Sequence, residues 1–231
     1  FALGMANVIL SYEGEKSGFV ADLVYGPRGA DAVFNSTGSA NIVNQLYAYF
    51  NLSDSFTLTM GNFNTFLGYE VISPVANFNY STSYMFSYGP FSHSGIKADL
   101  ALSDDASLML GVLNSTDYTE SQPIGEDFMI GVQLGLFGQY INYLGGGTAG
   151  VSQIDFTGGI DLGDSFFLGV NASIYENLKE DYNDKYEYIF PSYEFSKRLK
   201  SNYNGNYEII SKGNYKNYKN NIFEKVFIND L

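Results

Sequence analysis

Apolar and polar side chains alternate with a period of two along six segments, the mark of strands with one oily and one wet face. Phe56, Leu58 and Met60 oppose Thr57 and Thr59, and Ile96, Ala98, Leu100 and Leu102 oppose Lys97, Asp99 and Ala101. Ala106, Leu108, Leu110 and Val112 oppose Ser107, Met109 and Gly111. Phe128, Ile130, Val132, Leu134 and Leu136 oppose Asp127, Met129, Gly131, Gln133 and Gly135. The clearest pair sets Ile154, Phe156 and Ile160 against Gln153, Asp155, Thr157 and Asp161, then Phe166, Leu168, Val170, Ala172 and Ile174 against Gly169, Asn171 and Ser173. Noisier alternation over 3–12, 18–26, 41–50 and 139–145 brings the expectation to ten strands in five hairpins.

The connections alternate as well. Short turns stand at Glu13 to Ser17, Asn51 to Ser55, Ser103 to Ala106, Phe137 to Gln139 and Leu162 to Asp164. Gly26 to Ala40, Phe63 to Phe91 and Asn114 to Glu126 are long excursions. Short turns at one end and long loops at the other are how an outer-membrane β-barrel is wired, with the short turns in the periplasm. Strands of about ten residues suit a tilted membrane crossing better than the five or six usual in soluble sheets. The pattern therefore predicts an all-β, antiparallel, up-and-down transmembrane β-barrel. A soluble β-sandwich is the minor alternative, because its strands alternate in the same way with the oily face turned inward. Tyr12, Tyr25, Tyr47, Tyr49, Tyr140, Tyr143 and Tyr175 are candidates for the aromatic girdles of a barrel.

Charge divides the chain. Residues 1–176 carry 17 acidic and 3 basic side chains, whereas 177–231 carry 8 acidic and 9 basic. From Asn177 the composition turns to Asn, Lys, Tyr and Glu and the alternation fades. The expected organisation is a partial barrel over 1–176 and a low-complexity, irregular tail over 177–231 that is artefactual or disordered. Ala2 to Tyr12 already reads as a strand, so the barrel is expected to be an incomplete fragment of about ten strands. The acidic body argues against nucleic acid, which needs clustered Lys and Arg. The absence of cysteine removes disulfides and thiolate metal sites. No apolar run nears the roughly 18 residues of a membrane-spanning helix.

The longest excursion holds Gly68-Tyr69-Glu70, then an Asn/Tyr/Ser run, then Pro90-Phe91-Ser92-His93-Ser94-Gly95 leading into a strand. On these motifs the chain resembles the OmpL-like β-barrel porin family of Gram-negative outer membranes, over about residues 40–175. The resemblance implies a bacterial outer-membrane barrel that passes solutes passively and belongs to a longer chain, with no catalytic residue to carry over. A loop of this length is functional or disordered in most proteins. Folded into the lumen, it would set Tyr69, Glu70 and His93 at a constriction. The wet face supplies the candidate pore lining: Asp22, Thr57, Thr59, Lys97, Asp99, Gln133, Asp155, Asp161 and Asn171. A carboxylate-rich lining favours cations.

Other chemistry is weakly supported. His93 is the single histidine, and Ser92 and Ser94 beside it point to the opposite face of a strand, so a triad has no nucleophile there. Gly145 to Gly150 lacks the Lys-Ser/Thr ending and helix of a phosphate loop. No enzyme, cofactor or metal is expected. Membrane lipid and small solutes are the expected partners, with a homo-oligomer left open. The expected function is an outer-membrane porin for small solutes with a preference for cations. A small structural or ligand-binding barrel without a pore is the alternative, since about eight strands leave an interior filled by side chains.

Overall fold

The computed structural model describes residues 3–33, 35–77, 79–147, 151–163, 166–177, 187–200 and 206–214. Its ladder is one antiparallel up-and-down sheet of twelve strands in which every strand pairs with its sequence neighbours. The strands are β1 (Ala6–Glu13), β2 (Ser17–Tyr25), β3 (Val43–Ser53), β4 (Phe56–Asn64), β5 (Ser92–Ser103), β6 (Ala106–Leu113), β7 (Met129–Leu136), β8 (Gln139–Gly146), β9 (Val151–Asp161), β10 (Phe166–Asn177), β11 (Glu187–Lys200) and β12 (Asn206–Asn214). All ten strands expected from alternation are present, the noisy ones included. The ladder also continues past Glu176 as β11 and β12, within the stretch where alternation fades. Backbone pairing needs no alternation of side chains, so these two strands left little trace in the pattern. Among the described residues no ladder joins β12 back to β1.

Each expected short turn joins two strands. At Phe137 and Gly138 both residues take positive φ, 52° and 75°. That backbone twist matches the right-handed twist of the flanking strands, as two-residue hairpin turns require. Bulges beside the β3–β4 and β5–β6 turns add local twist.

Exposure decides between barrel and sandwich. The oily residues face outward: Ile96 is 48% exposed, Val112 50%, Ile130 45% and Ile154 53%, whereas Asp155 and Asn171 on the other face are 2% and 1% exposed. Ile96 pairs with Val112 and Val112 with Ile130, so the apolar residues form a continuous band across strands. A β-sandwich would bury that face against a second sheet. A membrane barrel turns it to lipid, where apolar side chains cost nothing to expose. No helix among the described residues is long and apolar enough to cross a membrane.

The aromatic girdle expectation is corrected in part. Tyr12 pairs with and stacks against outward-facing Phe19, and Tyr143 pairs with outward-facing Ile154. Tyr49, Tyr140 and Tyr175 instead pair with Thr59, Thr157 and Gln153 on the wet face, and Tyr47 packs against an internal cluster. A strand residue's face follows its register, which the noisy alternation around Tyr47, Tyr49 and Tyr140 did not fix, whereas Tyr175 falls on the wet face because it follows outward Ile174 in the clean alternation of β10.

Candidate functional site

The wet face carries the longest loop. L1 (26–42), L2 (65–91) and L3 (114–128) connect β2–β3, β4–β5 and β6–β7. The Thr65 amide donates to the Phe91 carbonyl at 3.1 Å, so L2 leaves and rejoins the sheet at one point. From there it lies along the wall. The Phe66 carbonyl accepts from Gln133 Nε2 on β7 at 3.1 Å, and the Gly68 amide donates to Asp155 Oδ1 on β9 at 3.0 Å. Gly68 has φ 72°, a left-handed conformation that glycine takes without steric cost. Phe63 and Leu67 bury themselves with Leu113, Met129 and Leu144 in an apolar cluster on this inner face, with Tyr47 and Phe66 packed alongside. The alternation rule failed there because a loop, not water, covers these inner positions.

Asp155 is the centre of the wall. Besides Gly68 it accepts from Asn171 Nδ2 at 2.9 and 3.0 Å, Thr157 Oγ1 at 2.9 Å and Asn142 Nδ2 at 3.4 Å. Gln133 Nε2 extends the network to Asn142 Oδ1 at 2.8 Å. Gln153 donates to Ser173 Oγ at 2.7 Å beside it. A buried carboxylate is tolerated when donors surround it, and here they come from three strands, β8 to β10, and a loop.

The other lining candidates fall elsewhere on the same face. Asp22 is buried and accepts from Asn7 at 2.9 Å and Asn44 at 2.6 Å. Lys97 and Asp99 form an ion pair at 2.8 Å, and the Lys97 ammonium lies 5.5 Å from the Phe63 ring centroid. Thr57 donates to Asn51 at 3.0 Å and Thr59 is buried beside them. Asp161 stands exposed at the end of β9, apart from the network. Asn7, Asn44, Asn142, Gln153 and Ser173 belong to the wall but were not singled out from sequence. Of these, Asn142 stands directly opposite Asp155 in the ladder, a pairing that only the register reveals.

Of the three constriction candidates, Tyr69 lines a cavity against the wall. Glu70 is buried and folds back within L2, accepting from the Ser83 amide at 3.0 Å and from the Ser83 hydroxyl. Ser83 in turn caps α2 (Tyr84–Tyr88) by accepting from the Phe86 amide. Glu70 thus fastens the loop to itself across thirteen residues. His93 is buried opposite Phe63, its Nε2 3.0 Å from Thr65 Oγ1 and its ring 5.0 Å from that of Phe66. Its neighbours are two phenylalanines and a threonine. Among the described residues no group of three or more His, Asp or Glu converges on a cation site.

The outer loops are tied to one another. Thr37 of L1 donates through its amide (2.6 Å) and hydroxyl (2.9 Å) to Glu120 of L3. Arg28, in α1 (Pro27–Ala32) of L1, donates to the Ile72 carbonyl of L2 at 3.2 Å. Asp117 of L3 accepts from the amides of Phe91 and Ser92 at 2.7 and 2.9 Å. Burial pushes its carboxyl up to about 6, against the opposite pull of those two amides.

The site is thus a polar wall on the inner face of an outward-oily sheet, with a long loop pinned against it and the outer loops laced over the same end. No curated protein matches the chain. The family described as Putative beta-barrel porin-2, OmpL-like, matches it over residues 1–219. That span takes in the whole described sheet and reaches beyond the stretch that carried the resemblance, and the chain belongs to this family of β-barrel porins.

Proposed function

We propose that the chain forms an outer-membrane porin through which small solutes diffuse passively, with a preference for cations. One observation carries the reading: the strands turn their apolar residues outward and gather carboxylates and amides on the inner face, where L2 is held. A sheet of twelve strands is wider than the eight at which side chains alone fill a barrel. Among the residues whose side chains are described, Asp22, Asp99 and Asp155 lie on that face against one ammonium, that of Lys97, and fixed negative charge along a passage favours cations. Outer-membrane lipid is the surrounding partner in this reading. Single-channel recording of the full chain in planar bilayers tests it. Steady conductance steps with a reversal potential displaced toward the potassium equilibrium in a KCl gradient are expected. Anion preference would remove the selectivity claim, and a folded but silent barrel would remove the porin.

A second reading has its own observation. Phe63 and Leu67 of the L2 base fill part of the inner face with an apolar cluster, as in a small barrel that binds or supports rather than conducts. The silent outcome of the same recording favours it.

A further inference from the structure

A cavity of about 290 Å³ lies between the apex of L2 and the wall of β8 to β10. Its depth comes from Gly159 and Gly169, which pair across β9 and β10 and leave the wall without side chains at that level. A Cβ at 159 would collide with the ring of Phe167, so glycine there is what lets that ring lie against the wall. Three aromatic residues contribute to the lining from three separate elements: Tyr69 from L2, Tyr140 from β8 and Phe167 from β10. Thr157 adds a hydroxyl; its proton goes to Asp155, which leaves its lone pairs to accept. No charged residue lines the cavity among the described residues, although the wall beside it holds Asp155. Asn77, also in the lining, spends its amide on Val71, donating to its carbonyl at 2.6 Å and accepting from its amide at 2.8 Å. It therefore holds the L2 apex in shape.

The lining selects against both salts and simple hydrocarbons. Among the described residues the lining offers an entering ion no countercharge in exchange for its hydration. A purely apolar solute would offer nothing to the Tyr140 hydroxyl or to the accepting lone pairs of Thr157. Aromatic rings offer flat apolar faces with a negative quadrupole, suited to the weakly positive C–H face of a solute, and a few polar groups fix its orientation. A pyranose ring has both features, a C–H face and a rim of hydroxyls. The volume lies at the lower end of ligand clefts, which run from about 300 to 1,000 Å³, so a single sugar ring suits it better than a long chain of them. We infer that this cavity is a binding site for a neutral cyclic monosaccharide on its way along the inner face. The inference rests on the diffusion reading above and names one class of solute for it.

The test uses the full chain folded in detergent micelles, with D-glucose and D-sorbitol as probes in isothermal titration, and bilayer recording in parallel. Sorbitol has comparable hydroxyls but no fixed apolar ring face. Glucose is expected to bind in the millimolar range and sorbitol at least tenfold more weakly. Phe167→Ala and Tyr140→Ala should each weaken glucose at least tenfold, while Phe167→Tyr retains it. Heat-modifiable gel mobility checks that each variant is folded. If Phe167→Ala does not fold, Tyr69→Ala, altered in the loop rather than the sheet, makes the same comparison. Equal binding of the two probes, no binding of glucose, or aromatic variants that bind like the parent would each overturn the site. Conductance steps without glucose binding would overturn the site and leave the porin standing. Glucose binding with the predicted variant losses in a silent barrel would support the site and overturn the porin.

Discussion

Among single residues, Asp155 carries the most. Five hydrogen bonds from four donor groups converge on its two oxygens, from Gly68, Asn142, Thr157 and, to both oxygens, Asn171. Asp155→Ala removes their common acceptor and leaves buried amides unsatisfied, each costing about 1–3 kcal/mol. We expect a loss of about 2–4 kcal/mol in urea unfolding of the detergent-folded chain, because the amides can partly re-pair. Asp161→Ala, at an exposed carboxylate of the same strand, should stay within about 0.5 kcal/mol. Asp117 behaves differently because its carboxyl is raised to about 6 by burial. A carboxyl whose folded pKa exceeds its unfolded value is held more tightly as the acid in the fold. Its contribution to stability is therefore full below about 4 and is lost as pH rises through about 6. Asp117→Asn mimics the protonated form, still accepts from the Phe91 and Ser92 amides, and tolerates the φ of 62°. At pH 7.5 it should stabilise the chain by on the order of 1–3 kcal/mol and flatten the stability profile between pH 4 and 7. Unfolding measured across that range checks both.

At the scale of elements, L2 is held by two kinds of fastening. Its base is apolar, through Phe63 and Leu67, and its first turn is hydrogen-bonded to β7 and β9. Its remainder is closed on itself by Glu70 with Ser83 and by Asn77 with Val71. This division predicts that Leu67→Ala, a large-to-small change at a buried position, costs about 2–5 kcal/mol in urea unfolding. Replacing residues 69–82 with a short Gly/Ser linker spares both wall fastenings. In the porin reading it should leave the sheet folded and raise single-channel conductance by removing the apex from the inner face. Unchanged conductance would mean that L2 does not limit the passage. The length and motif of L2 were legible in the sequence, but its route was not. Glu70 stood out as a carboxylate for a constriction; only folding brought Ser83 to it.

For the molecule as a whole, the outward apolar band is the largest commitment. Leu110 sits on β6 within it and is 47% exposed, so Leu110→Arg should cost about 2–4 kcal/mol at bilayer midplane when folding is measured into lipid vesicles. A charge at the inward Leu113 of the same strand would be no milder, because that side chain is buried in the apolar cluster. The strand period, the short turns and the long loops between them were all legible, because each depends on residues close together in the chain. Period two is a local property, and it determined ten of the twelve strands and their two faces. Which face meets lipid was argued from strand length and polarity, and exposure of the apolar face then decided it. The faces taken by Tyr47, Tyr49 and Tyr140, the convergence of three strands and a loop on Asp155, and the cavity beside Phe167 depend on residues far apart in sequence. Only cross-strand pairing and loop insertion bring them together, and the energy that does so is in contacts that no local pattern encodes. The sequence by itself determined the strands and their oily side; the tertiary structure decided what the wet side holds.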